Sequence, residues 1–193
     1  MSNRIELEKS FVLDEENERR IQEKIEQEGF KLVSEEVEED TYFSDKELNF
    51  VKNRVCLRTR KINDEYLELT YKPKSTEETE KYGKKEVNIE LNVKDYEDIK
   101  YIIKQLGYIE YVSFKKYRTT YSKNVDGIER NIMIDELKGI GKFIEFEVLS
   151  EKEDKQKMLS ELESFLDEFE CSNLEKKKKP YRDIAKEFED NNK

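Results

Sequence analysis

The sequence contains no histidine. That absence excludes Ser-His and Cys-His nucleophilic pairs, imidazole general bases and imidazole metal ligands. Cysteine is almost as scarce: Cys56 and Cys171 are the only two, too few for a disulfide framework or a zinc cluster. No apolar run is long enough to cross a membrane, and the first residues carry no signal-peptide pattern. A cytoplasmic location is the expectation by default. There is no glycine-rich phosphate loop, so any phosphate must be bound by side chains. The chemistry has to come from carboxylates, Lys, Arg, Tyr and a hard cation held by oxygen.

Charge is what the sequence has in abundance. Of 193 residues, 44% are charged and only 35% hydrophobic, and the net charge is -10. This acidity disfavours non-specific binding to nucleic acid or to an anionic membrane, but an acidic protein can still hold an anion in a basic interior. The 11 Tyr and 10 Phe fall in periodic runs, which argues against disorder. The length suits one domain, or two closely joined halves.

The periodicity predicts four helices. One spans Asp14 to Glu28, stops at Gly29 and places Ile21 and Ile25 on one side. A second spans Asp95 to Leu106, with Ile99, Ile102, Ile103 and Leu106 as its stripe, and stops at Gly107. A third begins at Ser150, where Ser150 and Glu153 have capping-box spacing, and carries Met158, Leu159, Leu162, Phe165, Leu166 and Phe169. The last begins near Pro180, a residue suited to a first helical position, and runs through Ile184 and Phe188.

Between the helices the period changes to two, the mark of strands. Ile5, Leu7 and Phe11 alternate with Glu6, Glu8 and Ser10 in Arg4–Phe11. Val55–Ile62 alternates around Arg58 and Arg60, and Tyr66–Lys72 around Glu68, Thr70 and Lys72. In Lys84–Leu91, Lys84, Glu86, Asn88 and Glu90 share one face. Lys116 and Arg118 share a face in Val112–Tyr121. Asp135 opposes Ile132 and Ile134 in Glu129–Glu136. Glu145 and Glu147 oppose Ile144, Phe146 and Val148 in Lys142–Val148. A charged strand followed by a helix ending in Gly-aromatic occurs twice (Gly29-Phe30 and Gly107-Tyr108), suggesting two similar halves, about 1–75 and 84–193, of one domain over 1–193. Pro73–Gly83 reads as the loop between them. A basic run, Lys176–Lys179, precedes the last helix.

A charged strand face is ordinarily the solvated side of a sheet. Here the charges sort by sign. Glu6/Glu8 and Glu145/Glu147 are acidic pairs, while Arg58/Arg60 and Lys116/Arg118 are basic. Like charges two residues apart repel, and a solvated surface gives no reason to hold them. If the amphipathic helices cover the apolar faces from outside, the charged faces point inward. An interior of both signs suits a phosphate chain with its divalent cation: carboxylates take the metal, Arg and Lys the polyanion.

The ordered set of motifs resembles the CYTH family, the triphosphate tunnel metalloenzymes, which include class IV adenylate cyclases, thiamine triphosphatases and inorganic triphosphatases. The residues that carry the resemblance are Glu6-Leu7-Glu8-Lys9-Ser10, Asp40-Thr41-Tyr42-Phe43, Leu57–Arg60, Thr70–Lys72, Lys116–Arg118, then Asp135, Gly141, Phe143, Glu145 and Glu147, and finally Lys179-Pro180-Tyr181. The resemblance implies an α+β fold: a closed antiparallel β-barrel of about eight strands forming a charged tunnel, with helices packed outside. It implies Mg²⁺ or Mn²⁺ held by Glu6, Glu8, Asp135, Glu145 and Glu147, with Glu6, Glu8 and Glu147 as the catalytic carboxylates. It implies phosphate contacts from Arg58, Arg60, Lys72, Lys84, Lys116, Arg118 and Lys179.

The sequence departs from the family pattern in places. Ser10 stands where the opening motif ends in lysine, a residue that in the family takes part in phosphate binding and catalysis. Lys9 is adjacent, but strand parity points it to the opposite face. Lys84 replaces an arginine and lacks its fork, and Asn88 replaces the second glutamate of that element.

The substrate implied is a triphosphate: ATP, thiamine triphosphate or tripolyphosphate. Tyr42–Arg60, with Asn49-Phe50 ahead of Leu57-Arg58, is closer to the cyclase branch, which converts ATP to cyclic AMP and pyrophosphate. A triphosphatase is the alternative. A binding module without turnover is a third reading, motivated by Ser10. A structural domain whose acidic helices bind a basic partner has no positive support. Nucleic-acid and membrane partners are not expected, and a homodimer is compatible with the reading.

Overall fold

The computed structural model describes residues 5–74, 76, 86–150 and 155–193. Their elements are β1 (Ile5–Leu13), α1 (Glu15–Gln27), β2 (Lys31–Ser44), the single turn α2 (Asn49–Lys52), β3 (Cys56–Ile62), β4 (Tyr66–Lys72), β5 (Val87–Leu91), α3 (Tyr96–Gln105), β6 (Ile109–Val125), β7 (Ile128–Leu137), β8 (Gly141–Ser150), α4 (Lys155–Glu168) and α5 (Tyr181–Asn191). The strands form an eight-stranded sheet in the order β1-β8-β7-β6-β2-β3-β4-β5. The pairs β1–β8, β7–β8, β2–β3, β3–β4 and β4–β5 are antiparallel. The class is α+β with eight strands, as the resemblance implies.

The chain packs as two compact units, each discontinuous in sequence: Met1–Glu35 with Tyr117–Lys178, and Glu36–Lys116 with Lys179–Lys193. In the first unit, α1 starts where the Asp14 carboxylate accepts the Asn17 N–H at 2.8 Å. Glu15, Glu16 and Glu18 fill the first turn, where negative charge meets the positive end of the helix dipole. The helix stops because Gly29 takes φ +74°, which lets the Phe30 N–H reach back to the Ile25 carbonyl at 3.1 Å. Ile21 and Ile25 are buried on α1, and Met158, Leu162 and Phe165 on α4. They cover Leu7 and Phe11 of β1, Ile132 and Ile134 of β7, and Ile144, Phe146 and Val148 of β8. Phe165 packs edge-on to Phe146 at 5.2 Å and stacks on Phe30 at 5.6 Å. Each such large side chain contributes about 1.5–3 kcal/mol on burial. One face of these strands is thereby committed to the core, and their charged residues are left on the other.

The second unit ends its helix α3 by the same device. Gly107 takes φ +95°, and the Tyr108 N–H bonds the Ile103 carbonyl at 3.3 Å. The Gly-aromatic repeat is thus one helix stop used twice, each time launching a long strand, β2 or β6. Tyr108 then packs on Phe50 at 5.2 Å. Helix α5 follows Pro180, which stands at the N-cap, one position ahead of the first helical residue. Arg182 anchors α5 by donating to the Val55 carbonyl at 2.9 Å.

The main element missing from the sequence reading is β2. Its segment Glu35–Asp40 is almost wholly acidic, so the alternation disappears. Yet Glu38 and Asp40 are 2% and 1% exposed, because β3 and β6 supply cations to meet them. Ser150 closes β8 rather than opening a helix, and the other positions of the proposed capping box lie outside the described residues. Arg4, Lys84 and most of Pro73–Gly83 also lie outside them. Among the described residues no helix is long and apolar enough to cross a membrane.

Candidate active site

The antiparallel register sets the charged face of the first unit in rows. Glu8 lies opposite Glu147, which lies opposite Asn131; Ser10 lies opposite Glu145, which lies opposite Met133. Lys9 pairs with Phe146 and so belongs to the core face, as its parity predicts. Glu6, Glu8 and Glu147 each offer an oxygen within 4.8 Å of the other two. Burial, and then the neighbouring carboxylates of Glu6 and Glu8, push the Glu147 carboxyl up to about 8. Like charges this close either take up a proton or share a cation.

Asn131 completes this row. Its Nδ2 donates to Glu147 Oε1 at 3.0 Å and to Glu129 Oε1 at 3.2 Å. An amide between two carboxylates must turn its NH₂ toward them, so its oxygen is the end left over. Asn131 is 7% exposed, and its Oδ1 has no hydrogen-bond partner. An orphaned buried oxygen is uncommon in folded proteins. Its strand neighbour Glu147, with Glu6 and Glu8, offers carboxylate oxygens, the hard donors that Mg²⁺ and Mn²⁺ accept. The residues present fit such a cation.

The other two carboxylates predicted as metal ligands stand differently. Asp135, 0% exposed, takes both arms of Arg118: Nε to Oδ1 at 2.7 Å and Nη2 to Oδ2 at 2.6 Å. The same Nη2 reaches Glu145 Oε2 at 2.6 Å. Glu145 Oε1 accepts from Ser10 Oγ at 3.0 Å and from Lys177 Nζ at 2.9 Å. Asp135 and Glu145 therefore balance Arg118 and Lys177, next to the Glu6/Glu8/Glu147 group.

The second unit carries the other basic residues. Arg60 forks onto Asp40 at 2.7 and 2.8 Å and makes an ion contact with Glu38 at 2.8 Å. Lys116, only 1% exposed, lies 3.1 Å from the same Glu38 oxygen, with its ammonium 5.1 Å from the Tyr181 ring centroid. Burial alone would raise the Asp40 pKa, but the guanidiniums of Arg60 and Arg58 hold it far below the usual carboxylate range. Arg58 makes longer ion contacts and also pairs with Tyr42. It donates to Thr70 Oγ1 at 3.2 Å, its ion contacts to Asp40 and Glu68 are 3.8 and 3.9 Å, and its buried Nε–H has no acceptor. Lys72 pairs with Glu86 at 2.5 Å. Lys179 is half-exposed and pairs with Glu187. Lys84 lies outside the described residues.

Three contributors escaped the sequence reading. Asn131 is neutral and gives no charge signal. Lys177 was hidden in a run of four lysines. Glu38 lies in the acidic stretch that concealed β2. A cavity of about 220 Å³ also exists on the helix side of the first unit, between Glu18, Lys142 and the hydroxyls of Tyr117, Thr119 and Tyr121. None of the charged residues above lines it.

Comparison with known proteins adds to this geometry. A protein of Methanocaldococcus jannaschii, described as a candidate adenylate cyclase, is 32% identical over 164 residues, covering 84% of this chain and 87% of its own. A candidate adenylate cyclase from Vibrio parahaemolyticus has a similar structure, with a TM-score of 0.70 at 16% identity, covering 93% of this chain and 97% of its own. A Hippeastrum protein described as a candidate adenylyl cyclase with a dominant triphosphatase activity superposes with a TM-score of 0.67 at 14% identity, covering 96% of each chain. The model of the CYTH domain matches residues 4–181. Spanning both the acidic strands and the basic ones in a single match, it leaves little of the sequence unaccounted for, and the chain belongs to the CYTH domain family.

Proposed function

We propose that the chain is a divalent-metal-dependent enzyme acting on a triphosphate, in the manner of an adenylate cyclase that converts ATP to cyclic AMP and pyrophosphate. The observation that carries the reading is the group of Glu6, Glu8 and Glu147, whose oxygens lie within 4.8 Å of one another. Such a group is repulsive by itself and becomes favourable with a cation. Mg²⁺ or Mn²⁺ bound there supplies Lewis-acid charge to a phosphoryl oxygen.

The chain's own residues do the rest. Glu6, Glu8 and Glu147 would hold the cation, with Asn131 orienting Glu147 through its NH₂. Arg58, whose buried Nε–H has no acceptor, donates to a phosphate oxygen, and Lys72 and Lys116 add positive charge. Arg60 keeps Asp40 ionised and in place. Asp135 and Glu145 hold the Arg118 guanidinium. Closure of the sheet into a tunnel belongs to the same proposal and is supported by family membership.

A triphosphatase is the second reading, favoured by the dominant triphosphatase activity of the Hippeastrum neighbour. The two reactions differ in the phosphorus attacked and in the attacking oxygen, a ribose hydroxyl or water. The test is to incubate the protein with ATP, thiamine triphosphate and tripolyphosphate, each with Mg²⁺ or Mn²⁺, and to score cyclic AMP, pyrophosphate and phosphate separately. Cyclic AMP with pyrophosphate supports the cyclase. Phosphate alone selects the triphosphatase. Metal-dependent binding without any product overturns both.

A further inference from the structure

Among the four lysines of Lys176–Lys179, only Lys177 has its side chain largely buried against a carboxylate. Its side chain is 10% exposed, against 79% for Lys178 and 53% for Lys179, and Lys176 is exposed. The cause lies in the backbone. The segment from Glu175 to Lys177 lies along β1: the Val12 N–H donates to the Glu175 carbonyl at 2.8 Å, the Lys177 N–H donates to the Ser10 carbonyl at 3.0 Å, and Phe11 bridges Lys176 in antiparallel sense. That register sets Lys177 opposite Ser10, and opposed residues of an antiparallel pair project to the same face. Lys177 is thereby delivered to the charged face, and Lys176 to the other.

Position 10 is where the opening motif ends in serine instead of lysine. Ser10 Oγ and Lys177 Nζ converge on one atom, Glu145 Oε1, at 3.0 and 2.9 Å. Glu145 is two residues before Glu147 on the same strand face, a separation of about 7 Å along a strand. An ammonium at Lys177 is therefore within side-chain reach of a phosphate chain attached to a cation at Glu6, Glu8 and Glu147. A serine leaves room for it; a second long side chain at position 10 would compete for the same carboxylate.

We infer that Lys177 supplies, from the segment laid along β1, the ammonium that β1 lacks at Ser10, and that it acts on the phosphate chain of the bound triphosphate. The inference rests on the proposed metal-dependent triphosphate chemistry. It goes beyond that chemistry in assigning the cation to a different segment of the chain.

The test is a double-mutant cycle at positions 10 and 177, read in turnover, in tripolyphosphate affinity with Mg²⁺, and in thermal unfolding without ligand. Lys177→Ala lowers turnover by about 100-fold. Lys177→Gln keeps a hydrogen bond to Glu145 and the folded stability, yet loses turnover to a similar degree. Ser10→Lys alone brings no gain, since two ammonium groups meet one carboxylate. Ser10→Lys combined with Lys177→Ala recovers turnover and affinity to within about 10-fold of the parent. Unchanged turnover and affinity in Lys177→Gln, or a double variant no better than Lys177→Ala, overturns the inference. If the parent protein neither binds nor turns over any triphosphate, the proposed function itself falls. The unfolding cycle then decides the placement of Lys177: additive effects overturn it, and compensation by Ser10→Lys sustains it.

Discussion

Asn131 faces Glu147 across β7 and β8 and donates to its carboxylate at 3.0 Å, leaving the amide oxygen buried without a partner. The donated hydrogen bond favours the ionised carboxylate against the burial and repulsion that oppose it. Asn131→Leu removes both the donor and the orphaned oxygen. Metal affinity in this variant falls by about 10–100-fold, the usual cost of losing a partner that supports a metal ligand. Titration of Mn²⁺ by calorimetry measures it. Affinity equal to the parent's would remove Asn131 from the site.

Proton linkage gives a second prediction. Glu147 has a pKa of about 8 in the folded protein, against an ordinary 4.5. Between these values the folded metal-free protein holds a proton that the unfolded chain has released, so stability falls as pH rises from about 4.5 to about 8. The cation must displace that proton. Its affinity therefore rises with pH over the same range and levels off above about 8, with proton release disappearing there. Calorimetry in buffers of different ionisation enthalpy, at about pH 6.5 and about pH 9, reads the released proton directly. Equal proton release at both values is the adverse result.

Stability and function should move in opposite directions at the same carboxylate. Glu147→Gln removes one charge from a repulsive group, so at about pH 9 the metal-free variant gains ~1–3 kcal/mol in unfolding free energy. It also loses a metal ligand, and turnover is abolished. Glu6→Gln likewise abolishes turnover, with a smaller change in stability because Glu6 is exposed. Urea denaturation at about pH 9 and product assays check the pair. Full turnover in both variants would sink the assignment of these residues to the metal.

Much of the fold was legible because its strands present one apolar and one charged face. Ile144, Phe146 and Val148 against Glu145 and Glu147 fixed both the strand and the side that carries chemistry. The same rule failed for β2, where Glu38 and Asp40 are buried by ion pairing with Arg60 and Lys116. Burial by charge compensation leaves no hydrophobic period to read. The Glu6/Glu8/Glu147 group was legible for a different reason: like charges at spacing two share a strand face. Their partners were not. Which cation meets Glu145 depends on how the segment at Lys177 lies along β1, and nothing in a run of four lysines marks the one that turns inward. The family pattern named carboxylates as metal ligands together, whereas side-chain geometry separates those around Glu147 from those that hold Arg118.

Arg58 and Arg60 stand two residues apart on β3, and the family pattern treats them alike, yet the structure separates them. Arg60 makes a bidentate pair with buried Asp40 and a further contact with Glu38. Arg60→Ala takes the close bidentate partner from buried Asp40 and one of the cations from Glu38, and removing one partner of a buried pair costs about 3–5 kcal/mol. Arg58 has ion contacts of only 3.8 and 3.9 Å and an Nε–H without an acceptor. Thr70 and Tyr42 also contact this guanidinium, so what it offers a ligand is the Nε–H. Arg58→Ala is therefore expected to cost less stability than Arg60→Ala while weakening tripolyphosphate binding by about 10-fold or more, the scale of a lost charge-assisted hydrogen bond. Arg58→Lys keeps the charge and loses the fork, so it recovers only part of that affinity. Urea denaturation and calorimetric titration of both variants separate the roles. If Arg58→Ala unfolds as readily as Arg60→Ala and Arg58→Lys restores only the stability, then Arg58 too is a structural ion pair and the phosphate contact lies elsewhere.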